Sequence, residues 1–350
     1  MTNDLLRRLN ISLPIILAPL GGGPSTPELA AAVANAGGLG TLACPYLTPE
    51  QIPATIRRFR QLAPGKPLNV NLFAGAWTTN PPPVDPAPMQ NFLASIHQSL
   101  GLPAPLLPAI PADPFPAQFE AMLSEPPEIF SFTFGIPSPS QMSILKSSNI
   151  VTIGTATTPE EAGLLTSAGC DAIIAQGSEA GGHRGTFTQP AEDALIPLFD
   201  LLNRIRPITT LPLIAAGGLM TGADISRALS HGASAAMLGT AFLPCPESGA
   251  SPAYKNALSQ THHDTTILTR AFSGRLARGL PNTFTQANIT PIPPYPLQNL
   301  LTRPMRTAAN QQNNSEYLSL WAGQGVSYLR PMPAADLVQR LAQELDPAYQ

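Results

Sequence analysis

Eight short apolar runs recur along the chain: P-I-I-L-A-P from Pro14, G-L-G-T-L-A from Gly38, P-L-N-V-N-L-F from Pro67, E-I-F-S-F-T-F from Glu128, N-I-V-T-I-G-T from Asn149, D-A-I-I-A-Q from Asp171, L-P-L-I-A-A from Leu211 and A-A-M-L-G-T from Ala235. Most lack strict alternation of apolar and polar positions, the pattern of parallel strands buried on both faces. Helical stretches lie between them, and four open on a hydroxyl residue followed by proline: Thr26-Pro27, Thr48-Pro49, Ser138-Pro139 and Thr158-Pro159. The hydroxyl caps free amides, while proline has no N–H to lose at the first helical position. Gln51 after Thr48 and Glu161 after Thr158 extend two of these to capping boxes. Eight strand–helix units predict an α/β fold, a closed TIM (β/α)₈ barrel.

The regular spacing breaks twice. Prolines crowd the stretch between Ala74 and Pro127, Pro81 to Pro83 among them, around a helical patch from Met89 to Leu100. After the eighth strand a long segment follows, too long for one closing helix. The expected organisation is a first barrel part over 1–73, an insertion near the barrel mouth over 74–127, a second barrel part over 128–260, and a C-terminal extension over 261–350. That extension is expected to form a smaller substrate-covering domain over the active site.

Composition narrows the partners. The chain has 350 residues, 12% of them charged, and a formal charge of -3, so nothing biases it toward nucleic acid or an anionic membrane. Its N-terminus lacks a secretory apolar core, and no segment approaches the roughly 20 continuous apolar residues of a membrane span. Cys44, Cys170 and Cys245 are widely separated and odd in number, which suits reduced, buried thiols. A cytoplasmic location is the expectation. No metal site is expected, His262-His263 being an isolated polar pair on a loop.

Chemistry in such a barrel gathers at the C-terminal ends of the strands. There the chain places glycines and a few neutral polar groups. Strand one runs into Gly21-Gly22-Gly23, strand three holds Asn71, strand six ends at Gln176, strand seven runs into Gly217-Gly218, and strand eight into Gly239-Thr240. Glycines after the last two strands let amides approach a phosphate, with no dinucleotide fingerprint elsewhere. After strand six comes G-S-E-A-G-G-H-R-G, Gly177 to Gly185, with one of only five histidines, His183, among glycines and two opposite charges. Asn71 and Gln176 offer amides suited to a flavin edge or to hydrogen bonds within the barrel mouth; both readings stay open.

A-P-L-G-G-G, N-V-N-L-F, Q-G-S-E-A-G-G-H-R-G, A-A-G-G-L and M-L-G-T-A-F together resemble the nitronate monooxygenases, FMN-containing barrel enzymes. The motifs F-S-G-R-L-A-R-G, Y-P-L-Q-N-L-L-T and W-A-G-Q-G resemble those of members acting on propionate 3-nitronate. The resemblance implies FMN contacts at Asn71, Gln176, Gly181, Gly218, Met237, Leu238, Gly239 and Thr240; Gly22 and Gly217 join these from their places after strands. It gives His183 a substrate-side role, as a base toward neutral nitroalkanes or as a hydrogen-bonding group toward a pre-formed nitronate; a loop-pinning role is the structural alternative. It sets Tyr295 at the substrate entrance. The chain departs from the pattern at Thr133, where some relatives carry a second histidine, and at Asn299 and Arg303, where more aromatic or lysine character is expected. Thr133, Tyr295 and Arg303 are the candidate substrate contacts.

The implied reaction is oxidative denitrification of a nitronate with dioxygen to a carbonyl compound and nitrite. Flavin-dependent NAD(P)H:quinone reductases and enoyl-thioester reductases share much of the glycine pattern and form the alternative reading.

Overall fold

The computed structural model describes residues 4–75, 77, 84–261, 263 and 265–349. Pro81 to Pro83 and His262 of the sequence reading lie outside them.

All eight expected runs form strands: β1 (Ile15–Leu17), β2 (Gly40–Ala43), β3 (Leu68–Phe73), β4 (Ile129–Thr133), β5 (Val151–Ala156), β6 (Ala172–Gln176), β8 (Leu213–Ala216) and β9 (Ala235–Leu238). Between β6 and β8 lies the two-residue β7 (Gly182–His183), outside the main sheet. The eight pair in parallel in the order β1-β9-β8-β6-β5-β4-β3-β2. A bridge between Ile16 and Leu39 joins the first strand to the last, with Leu17 N donating to Leu39 O at 3.0 Å and Leu39 N to Ile15 O at 2.9 Å.

Alternation along each strand divides its side chains between two layers. Ile15, Leu17, Leu42, Val70, Leu72, Phe130, Phe132, Ile173, Ala215 and Leu238 bury against the helices. Ile16, Ile129, Ile153, Ile174, Ile214 and Met237 belong to a second cluster, closed by Leu5 and Leu9 of α1 (Asp4–Leu9). Across β2 to β4 buried positions turn polar: Asn69 Nδ2 donates to Thr41 Oγ1 and Ser131 Oγ, and Asn71 Nδ2 to Ser131 Oγ.

The barrel helices start largely where the caps stand. Thr26 caps α2 (Pro27–Asn35), Ser138 caps α6 (Pro139–Ser147) in a full capping box, and Thr158 caps α7 (Pro159–Ser167). Two details differ from the sequence reading. Helix α3 (Gln51–Leu62) begins three residues after Thr48, whose amide donates to Gln51 Oε1 and whose hydroxyl bonds the Glu50 side chain instead of a helix amide. Glu161 does not turn back to Thr158 N; its buried carboxylate accepts from Thr157 N and Oγ1 and from Phe187 N, tying α7 to the loop after His183.

Both irregular segments divide in function. Within 74–127, α4 (Ala87–Ser99) leaves the barrel, whereas α5 (Phe115–Leu123) packs on α3 and β3 as an ordinary wall helix. Helices α8 (Leu198–Ile205) and α9 (Gly222–Ser230) continue the wall. After β9 come α10 (Pro252–Ser259), β10 (Ile267–Thr269), β11 (Ala277–Gly279), α11 (Thr283–Gln286), α12 (Leu297–Gln311) and α13 (Ala334–Gln343). Met89, Leu93 and Ile96 of α4 share a core with Leu301 and Met305 of α12, forming a roof. Helix α13 instead returns to the barrel and buries Leu337, Val338 and Leu341 beside α2 and α9. No helix among the described residues is long and apolar enough to cross a membrane.

Candidate active site

Between the strand ends and the roof lies a cavity of about 750 Å³, within the roughly 300–1,000 Å³ common for ligand sites. Gly22, Asn71, Thr133, Gln176, Gly181, His183, Gly217, Gly218, Met237, Gly239, Thr240 and Arg303 all line it. Two expected contacts do not. Leu238 faces the helical layer, because alternation along β9 turns it away from the Met237 side. Tyr295 lies behind the wall: its ring meets Trp77 edge-on, and Arg275 lies between it and Phe134, 5.5 and 4.3 Å from the two ring centroids.

The glycines serve different purposes. Gly217 (φ 125°) and Gly218 (φ 70°) adopt backbone conformations that disfavour side chains, and a Cβ on Gly218 would stand 3.0 Å from Glu179 Cβ. At Gly181 a Cβ would fall 2.5 Å from Gly323 N, so glycine is needed there because the W-A-G-Q-G segment crosses it. Among the described residues, the amides of Gly218, Gly239 and Thr240 make no hydrogen bond. Unspent donors at the ends of two neighbouring strands suit a phosphate group. Asn71 likewise spends Nδ2 on Ser131 and leaves its Oδ1 without a partner among the described residues. These features fit a flavin mononucleotide.

The loop after β6 is held by side chains at both ends. Gln176 accepts from Gly185 N at 2.8 Å and donates to His183 O at 3.1 Å, so its amide braces the loop. Arg184, fully buried, donates to the carbonyls of Gly177, Gln176 and Ala194. Glu179 caps the first turn of α8 by accepting from Leu198 N. Beyond the loop, β7 pairs antiparallel with β11, setting His183 opposite Ala277.

That pairing aims the His183 ring at Phe134, Trp321 and Ser273, with Nε2 2.7 Å from Ser273 Oγ. Burial, reinforced by the positive charges of Arg275 and Arg306, pushes its pKa down to about 3. The imidazole is therefore neutral at neutral pH. Thr133 sits nearby, its Oγ1 3.5 Å from Thr155 Oγ1, and offers a hydroxyl without a titrating group. Phe134 holds φ 73°, unusual for a side-chain-bearing residue, and presents its ring to both His183 and Arg275. The three cysteines are free and buried, their thiols pushed up to about 12 by burial.

Ser273, Arg275, Trp321, Tyr46 and Arg306 were not singled out from sequence. The first three lie inside the F-S-G-R-L-A-R-G and W-A-G-Q-G motifs. Arg306 stands three residues after Arg303, a spacing that puts both on one helix face.

The nitronate monooxygenase family profile matches residues 3–344. A nitronate monooxygenase of Pseudomonas aeruginosa is 42% identical, with 99% of each chain covered. The nitroalkane oxidase from Streptomyces ansochromogenes superposes with a TM-score of 0.89 at 41% identity over 97% of both chains. The enoyl reductase domain of MlnA from Bacillus amyloliquefaciens shares the fold alone, with a TM-score of 0.63 and 11% identity over 97% of this chain and 96% of that one. With family profile, close relatives and barrel architecture in agreement, the chain belongs to the nitronate monooxygenase family of FMN-dependent barrel enzymes.

Proposed function

We propose that the protein oxidises alkyl nitronates, propionate 3-nitronate among them, with FMN and dioxygen, giving carbonyl compounds and nitrite. The observation that carries this reading is a neutral imidazole in a cavity whose nearby charges, Arg275 and Arg306, are positive. Such a site attracts an anion and offers it a hydrogen-bonding ring. FMN would supply the redox chemistry when bound; the Gly218, Gly239 and Thr240 amides would receive its phosphate, and Asn71 would offer its amide to the cofactor's polar edge. His183, tied through Nε2 to Ser273, orients the nitronate beside Trp321 and Phe134.

Toward a neutral nitroalkane the same ring must take a proton, and the depressed pKa makes it a weak base. A pre-formed nitronate avoids that step, so it is the better substrate.

Anaerobic mixing tests this reading. Purified protein carrying FMN is expected to bleach rapidly with propionate 3-nitronate, to release nitrite when air is admitted, and to bleach slowly with a nitroalkane or NADH. Rapid bleaching by NADH, with none by the nitronate, would assign the protein to the reductases instead.

A further inference from the structure

Strands β2, β3 and β4 send polar side chains into a barrel interior that Ile129, Ile153, Ile174 and Ile214 otherwise fill. Register sets Asn69 beside Thr41 and Asn71 beside Ser131, and alternation turns Asn69 and Asn71 to the same face of β3. Thr41, Asn69 and Ser131 are fully buried, and Asn71 nearly so. Their amide donors converge. Asn69 Nδ2 donates to Thr41 Oγ1 at 3.1 Å and to Ser131 Oγ at 3.0 Å, and Asn71 Nδ2 donates to the same Ser131 Oγ at 3.0 Å.

Buried amides and hydroxyls cost free energy wherever one of them stays unmatched. Asn69 Oδ1 is such a group, enclosed and without a partner among the described residues. Aliphatic side chains would fill the same space without that cost, so the polar layer serves something other than stability. Its upper end shows what. Asn71 borders the cavity, and with Nδ2 drawn back to Ser131 its Oδ1 is the end left for a ligand. That oxygen can only accept a hydrogen bond. Ser131 does not line the cavity, so it reaches a ligand there only through Asn71.

We propose that Ser131, backed by Asn69, is a positioning residue for the cofactor: it holds the Asn71 amide with its nitrogen in the barrel and its carbonyl toward the cavity, as an acceptor for the imide N–H of the flavin ring. This rests on the FMN reading and adds which end of the Asn71 amide is offered and what holds it there. Ser131 and Asn71 then act in series, and removing either breaks the same contact.

A double-mutant cycle on FMN affinity tests this, with the dissociation constant read from flavin fluorescence as the FMN-loaded protein is diluted. Ser131→Ala is expected to weaken FMN about 3- to 10-fold, the weight of one neutral hydrogen bond, and to move the visible bands of the bound flavin in the same direction as Asn71→Leu. Ser131→Cys, similar in size but a weak acceptor, should do the same. Ser131→Thr, which keeps the hydroxyl, should restore both affinity and spectrum. In the Asn71→Leu background Ser131→Ala should cost nothing further, within about 2-fold. Additive losses in the double variant overturn the proposal, because Ser131 would then act on the barrel at large, and they leave the FMN reading standing. Unchanged affinity in Ser131→Ala and Ser131→Cys, or in Asn71→Leu, overturns it too. Wild-type protein that binds no FMN removes the cofactor reading, and this inference falls with it.

Discussion

His183 concentrates the residue-scale questions. Its ordinary pKa is near 6.5, and in the folded protein it lies at about 3 because burial comes first and Arg275 and Arg306 follow. Between those two values the unfolded chain binds a proton that the native state refuses. The imidazole's contribution to stability is therefore intact above about pH 6.5 and is lost as pH falls toward 3. Denaturant midpoints from pH 7 to 4.5 should fall less steeply in His183→Asn than in the wild type; parallel slopes would mean the ring takes up its proton in the native cavity. In kinetics the same variant should lose about 10² in turnover of a neutral nitroalkane and much less with a pre-formed nitronate. A loop-pinning role predicts equal loss with both and a loosened flavin. The identity of this residue was legible in G-S-E-A-G-G-H-R-G, but its charge state was not. That state is set first by burial and then by Arg275 and Arg306, which segments far away in sequence bring to the ring.

At the level of elements, what was legible followed the physics of local pattern. Two-faced burial writes continuous apolar runs, so β1 to β6, β8 and β9 stood out, and hydroxyl–proline pairs marked α2, α6 and α7. What was illegible depends on partners. An amphipathic helix reads alike whether it closes a wall or builds a roof, so α5 and α13 could not be told from α4 and α12. Gln176 looked available to a ligand because nothing local shows that Gly185 N and His183 O claim its amide. Gly181 lines the cavity as expected, but the sequence could not show that it also admits the W-A-G-Q-G backbone, with Gly323 N donating to Thr240 Oγ1 and Gln324 N to Glu179 O, both at 2.9 Å. A paired substitution separates the meanings of two glycines. Gly22→Ala meets no atom within 4 Å and bears only the strain of φ 86°, about 1–2 kcal/mol. Gly181→Ala must push backbone aside and should lower thermal stability by clearly more. Equal melting temperatures in the two variants would mean that the Gly323 contact yields without cost.

For the whole molecule, the decisive feature is that the chain leaves the barrel after β9, builds the roof through α12, and returns as α13 between α2 and α9. A segment fixed at one end explores a wide volume; one fixed at both ends is confined near its docking surface at high effective concentration. The roof is thus an excursion of the barrel, held at its margins by β7–β11 pairing and at its base by a wall helix. Tethering at both ends predicts that closure over the mouth is settled when the barrel folds, ahead of any catalytic cycle. Release of FMN should then follow the unfolding of the barrel itself. In a urea titration the loss of flavin and the loss of far-ultraviolet ellipticity should share one midpoint, and flavin escaping at lower urea from an intact barrel would show the roof opening independently. Solute exchange with the cavity is left to the gaps among side chains at its rim, where exposed Arg303 stands. A roof tied down at both ends predicts a passage of fixed bore with a positive charge at its entrance.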